Sequence, residues 1–209
     1  MPTTTRLYLE QGHKRVFASA LDWPGWARSG GSEELAIGEL LAYAERYAEV
    51  ATRAGRRFPA AHHVEVVERV PGTQTTDFGA PGVPSALDAE PLTAAVLRRQ
   101  VGLMRASWDL LDDVVAAAPA TLRKGPRGGG RDRDEVVDHV CEAERAYARK
   151  LGVRHPPLRS DADVLALRDA LATAVLSGSA EGGWPPAYAV RRITWHVLDH
   201  AWEIQDKSS

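Results

Sequence analysis

Two periodicities divide the chain. Over the first seventy residues, short apolar–polar runs dominate. Residues 6–10 and 15–21 are β-prone and flank Gly12, which predicts a hairpin. Asp22-Trp23-Pro24-Gly25-Trp26 reads as a turn, because proline presets φ and glycine tolerates positive φ. Ser32 is placed as an N-cap, with Glu33 and Glu34 in the first helical turn. Leu35, Leu40, Leu41, Ala44, Tyr47, Ala48 and Ala51 then recur at helical spacing, predicting one helix to about Arg53. Residues 64–70 return to strand alternation. The predicted order is strand, strand, helix, strand.

Pro71, Gly72, Gly79, Pro81, Gly82 and Pro84 interrupt every period between 71 and 90, which marks a linker. Beyond it the pattern is helical. Four helices are predicted, over about 91–117, 133–151, 160–176 and 187–206. Pro91 stands at the start of the first and Ser160 caps the third. Glycine-rich segments at 126–130 and 178–183 separate them. The expected fold is therefore a small α+β domain (β-β-α-β) over residues 1–72 and a linker over 73–90. An all-α four-helix bundle follows over 91–209.

Composition narrows the function classes. A chain of 209 residues with 44% hydrophobic and 26% charged residues can bury a sizeable core, which excludes a disordered chain. Lys+Arg 26 against Asp+Glu 28 leaves a net charge of −2, so nothing draws the chain to nucleic acid or anionic membranes. No apolar run approaches the roughly 18–20 residues of a membrane span. The first residues lack the basic-then-apolar order of a signal peptide, so a cytoplasmic protein is expected. The single cysteine, Cys141, excludes an intrachain disulfide and a Cys-rich zinc module. Any bound metal must use the seven histidines and the carboxylates.

The last predicted helix carries the most informative pattern. His196 and His200 stand four apart, about 40° around the axis and one turn along it, so both imidazoles can reach one ion. Arg192, Asp199 and Glu203 share that polar stripe, and the rest of the helix is apolar. On the second predicted helix, His139 borders the apolar side formed by Val136, Val140 and Tyr147 and points between helices. One histidine from one helix and an i,i+4 pair from another make a three-nitrogen face with open positions, the arrangement of a catalytic metal centre.

These residues resemble a known family. His139-x-x-Glu142-x-Glu144 and Arg191-Arg192-x-x-Trp195-His196-x-x-Asp199-His200-x-Trp202-Glu203 look like the metal motifs of the DinB/YfiT-like superfamily, over about residues 90–206. Those proteins are four-helix bundles whose metal is held by one histidine on the second helix and a HxxxH pair on the last. The resemblance implies a divalent metal (Zn, Ni or Fe-like) at His139, His196 and His200 that lowers the pKa of a bound thiol or water. The superfamily includes S-transferases and isomerases that use bacillithiol or mycothiol. The implied function is a thiol-dependent, mycothiol-type transferase or isomerase acting on a small electrophile. The segment from Phe17 through Asp22-Trp23-Pro24-Gly25 to Ala36 is similar to the HicB-like antitoxin fold, although no basic recognition helix follows it.

The remaining candidates have structural or supporting roles. Glu142, Asp199 and Glu203 are placed to hold the outer nitrogen of a ligand histidine, or else to be solvated. Arg191 and Arg192 either bind an anionic substrate or pair with carboxylates. Cys141 is read as a core cysteine, Trp23 and Trp26 as core aromatics, and His13, His62, His63 and His155 as exposed loop residues. The sequence assigns no catalytic side chain beyond the ligands. The expected partners are a small-molecule substrate and a second copy of the chain as a homodimer. A non-catalytic metal- or ligand-binding module and an antitoxin-like regulator are the alternatives, and the near-neutral charge counts against the second.

Overall fold

Gly12 turns the first hairpin as the pattern predicts, its N–H donating to the Arg15 carbonyl at 2.8 Å. In the computed structural model, which describes residues 4–60, 63–125, 129–178 and 183–208, β1 (Thr4–Gln11) pairs antiparallel with β2 (Val16–Ala20). The chain reverses at Pro24-Gly25 and returns as β3 (Ala27–Gly30), antiparallel to β2. Two helices follow, α1 (Glu33–Ala42) and α2 (Ala44–Arg53), and then β4 (His63–Pro71), which runs parallel to β1. The sheet order is β3-β2-β1-β4. A short α3 (Gln74–Phe78) and a 3-10 turn (Ala86–Ala89) lead to four long helices, α4 (Ala94–Ala117), α5 (Arg133–Lys150), α6 (Asp161–Ser177) and α7 (Pro186–Lys207). Residues 1–3, His62, residues 126–128 of the predicted glycine-rich connection, and Gly182 lie outside the described residues.

This architecture corrects the fold expected from the sequence. The described residues form seven α-helices and a four-stranded mixed sheet, not a β-β-α-β domain followed by an all-α four-helix bundle. The third strand was hidden in the segment read as turn and cap. Its four residues, Ala-Arg-Ser-Gly, have little strand character of their own and become a strand only through pairing with β2. The single helix expected over 32–53 breaks at Tyr43, where φ −89° and ψ 5° interrupt the helical run without a glycine or proline. The cause is tertiary: the Tyr43 ring packs on Trp202 of α7, centroids 5.3 Å apart, and Arg28 lies 3.6 Å from its centre. The expected linker carries two capped helical turns, begun by Thr73 and Ser85.

Register decides what each face of the sheet covers. Leu7 opposes Ala20 and Leu9 opposes Ala18, and these four enter the core with Ala36 and Leu40 of α1. The other face presents Tyr8, Glu10 and Phe17. Glu10 is fully buried, and its carboxylate accepts from the Thr76 hydroxyl and from the N–H groups of Gly82 and Val83, which offsets the cost of burying the charge. Phe17 packs edge-on against Trp195 of α7, centroids 5.8 Å apart. One hydrophobic cluster thus runs from Leu7, Trp26 and Tyr47 through Met104 and Leu111 of α4 to Val197 and Leu198 of α7. No helix is long and apolar enough to cross a membrane.

Candidate metal centre

α7 starts with Pro186 in its first turn, where a missing N–H costs nothing, and its apolar circumference buries it nearly throughout. Leu198 packs against the Pro24-Gly25 turn, which fixes the rotation of the helix. That rotation carries His196 (6% exposed) and His200 (9%) inward. α5 is anchored at its start by Asp132, whose N–H donates to Glu135 at 2.8 Å. Val136, Val140, Glu144 and Ala148 form its buried stripe, and His139, partly buried, stands beside that stripe facing α7.

The three imidazoles converge. One nitrogen from each of His139, His196 and His200 lies within 4.8 Å of the others, the only such histidine, cysteine or carboxylate cluster among the described residues. His196 Nε2 and His139 Nε2 are 3.3 Å apart. Ring centroids are 5.1 Å apart for His139 and His196, 4.9 Å for His139 and His200, and 4.6 Å for His196 and His200. His200 Nδ1 donates to Glu203 Oε2 at 2.7 Å, so its Nε2 lone pair is left for the centre. Glu203 also accepts from Lys207 Nζ at 2.5 Å. The hydrogen bond from His200, followed by that from Lys207, holds the Glu203 carboxyl down at about 2. Burial, reinforced by His200 and Arg192, pushes His196 down to about 2. Burial and the neighbouring His200 lower His139 as well. Neutral imidazoles with free lone pairs are the form that metals bind.

The donor set fits a divalent metal. Two nitrogens about 2.1 Å from one ion at tetrahedral or octahedral angles lie about 3.0–3.4 Å apart. The 3.3 Å separation of His139 Nε2 and His196 Nε2 has that spacing. His196 Nδ1 is buried without a hydrogen-bond partner, and the ring is held by packing against Tyr147 and Trp195.

The other predicted residues are distributed unevenly. Glu203 touches the centre, but Asp199 turns away to pair with Arg28 of β3 at 2.6 Å. Glu142 faces outward and pairs with Arg145 at 2.9 Å. Arg192 lies over the rings of Tyr147 and Trp195, whereas Arg191 is buried against Asp88 of the 3-10 turn. Cys141 is partly buried, and burial pushes its thiol up to about 11. Trp23 and Trp26 are core residues. His13 and His63 are exposed, and His155 is partly buried in its loop.

Tyr147 and Glu144 stand in the sequence only as part of an apolar side and of a motif, with no role given to either. Tyr147 packs edge-on against His196, centroids 5.7 Å apart. Glu144 is fully buried and accepts from Trp108 Nε1, with Arg168 Nε 3.8 Å away. Its place on the four-residue stripe with Val136 and Val140 was the available signal. No family model, curated protein or solved structure matches the chain.

Proposed function

We propose that the chain is a DinB/YfiT-like metalloprotein whose three-histidine centre binds a divalent metal, in the cytoplasm, to act on a small electrophile with a thiol or water. The convergence of His139, His196 and His200, with His200 oriented by Glu203, is the observation that carries this reading. A divalent metal bound there would supply Lewis acidity and lower the pKa of a thiol or water.

The chain's own residues define the rest. His139, His196 and His200 offer neutral nitrogen donors from two helices, leaving other directions open for the reactants. Glu203 fixes the tautomer of His200 and keeps the ring from turning. Lys207 neutralises the Glu203 carboxylate on its far side. Tyr147 and Trp195 wall His196 with aromatic surface that excludes water. Mycothiol is the co-substrate that the thiol reading favours.

Metal analysis of purified protein tests this. Wild type is expected to hold close to one equivalent of Zn, Ni or Fe. His139→Ala, His196→Ala and His200→Ala are each expected to lose it while keeping the wild-type circular dichroism. Glu203→Ala is expected to bind roughly 10–100-fold more weakly in chelator competition. Metal retained by His196→Ala, or absent from wild type after growth with each metal, rejects the centre. A conjugation assay with mycothiol and a small electrophile then separates an enzyme from a binding module.

A further inference from the structure

Glu203 orients His200, but one hydrogen bond does not fix a glutamate. Its side chain is 27% exposed and turns about three bonds, so water competes for the carboxylate. Lys207, one turn further along α7, meets the other oxygen. Its Nζ donates to Oε1 at 2.5 Å, while Oε2 accepts from His200 Nδ1 at 2.7 Å. His200, Glu203 and Lys207 stand at i, i+3 and i+7, which lines them up on one face of the last two turns. Glutamate four residues before lysine is also the favourable order for such a pair.

The other cations at this end of α7 are committed elsewhere. Lys124 Nζ donates to Asp132 at 2.7 Å and to the Gly130 carbonyl at 3.1 Å. Arg123 Nη2 donates to the Asp206 carbonyl at 3.0 Å, and Arg133 pairs with Asp134 at 2.8 Å. Among the described residues, Lys207 is therefore the only lysine or arginine paired with Glu203. The Lys207 main chain is held independently, since its carbonyl accepts from the Arg123 N–H at 2.9 Å. Asp132, which accepts from Lys124 and from the Leu122 N–H, is the N-cap of α5, the helix of His139. The end of α7 is thus tied to the start of α5 through contacts that do not use the Lys207 ammonium. What the ammonium adds falls on Glu203, which separates its role from general stability.

We infer that Lys207 is a positioning residue of the three-histidine centre: its ammonium pins Glu203, and Glu203 then holds His200 as the Nδ1–H tautomer, leaving the Nε2 lone pair for a metal. The effect on metal affinity rests on the reading of that centre as a metal site, whereas the tautomer is a property of the chain alone. Without the ammonium the carboxylate turns out into water. His200 then returns toward the Nε2–H form that free histidine side chains favour, and a protonated Nε2 has no lone pair to give.

Nitrogen-15 histidine spectra of the metal-free protein read the tautomer, and zinc alone in chelator competition reads its consequence. Wild type is expected to hold His200 in a single Nδ1–H form. Lys207→Met is expected to show a mixture of both tautomers and to bind zinc roughly three- to tenfold more weakly. Lys207→Arg, which returns a charged donor to Glu203, is expected to restore most of both readouts. In a Glu203→Gln background, Lys207→Met is expected to have no further effect. Lys207→Ala serves in the same way if the methionine disturbs the end of α7. The inference is overturned if Lys207→Met keeps the single Nδ1–H form, if Lys207→Arg restores nothing that Lys207→Met loses, or if the loss persists undiminished in Glu203→Gln. A wild type with the fixed tautomer but no zinc rejects the metal centre alone and leaves the positioning by Lys207 in place.

Discussion

Glu144 shows how one residue can set a pH response. Burial drives its carboxyl up to about 7 from an ordinary 4.5, against the opposing pull of Arg168 and the Trp108 hydrogen bond. The native state therefore keeps a proton that the unfolded chain releases between those values. Because the native state binds more protons there, stability falls as pH rises through that window and levels off above it. The slope is at most about 1.4 kcal/mol per pH unit for one group. Glu144→Gln keeps an acceptor for Trp108 and removes the titration. Urea unfolding at pH 5 and pH 8 is expected to show the variant gaining on wild type at the higher pH, whereas parallel curves would assign the pH dependence elsewhere. Other residues were more or less legible from sequence according to how local their surroundings are. His196 and His200 share a stripe because four residues make about one helical turn, a fact of the helix alone. That Glu203 bonds His200 while Asp199 turns to Arg28 depends on β3, which lies 171 positions away along the chain.

At the scale of elements, the Pro24-Gly25 turn does more than reverse the chain. Gly25 has φ +88°, and a Cβ there would lie 2.5 Å from Thr194 Cγ2 and 2.9 Å from Leu198 Cδ1. The turn is thus the contact through which the sheet seats α7, the helix that carries the histidine pair. Gly25→Ala is expected to cost about 2–5 kcal/mol, combining left-handed strain with overpacking. Adding Thr194→Ser, which removes the closest methyl group, is expected to return part of that loss in thermal unfolding. A Gly25→Ala protein with wild-type stability would show that the turn does not press on α7. Proline and glycine announced this turn in the sequence. The strand it leads into was not announced, since Ala27–Gly30 has no apolar alternation to reveal it. Nor was the break at Tyr43, which Trp202 and Arg28 impose from outside the helix.

Across the whole molecule, the sheet and the long helices share one hydrophobic cluster. The surface ion pairs that join them, such as Arg46 with Asp206 and Arg53 with Asp113, are largely exposed and add little. The buried pair differs. Arg191 and Asp88, 7% and 1% exposed, tie α7 to the 3-10 turn across 103 positions of chain. Asp88→Ala leaves the guanidinium buried without its counter-ion and is expected to cost about 3–5 kcal/mol. The shared core further predicts that wild type and this variant each unfold in one transition by both near- and far-ultraviolet dichroism. Two separated transitions would show the sheet and helices to be independent.

The sequence by itself determined what neighbouring residues settle among themselves: the hairpin at Gly12, the turn at Pro24-Gly25, four long helical segments, and the stripe that aligns Arg192, His196 and His200. Each follows from a local period or a local backbone preference, acting over a few residues. The tertiary structure alone decided the third strand, the break at Tyr43, the anchoring of residues 72–90 on Glu10, and the meeting of His139 with the pair on α7. Each of these needs atoms that are close in space but 8 to 159 positions apart in the chain. Local pattern places a histidine on a face of a helix. Packing around Gly25 and Leu198 decides which way that face turns.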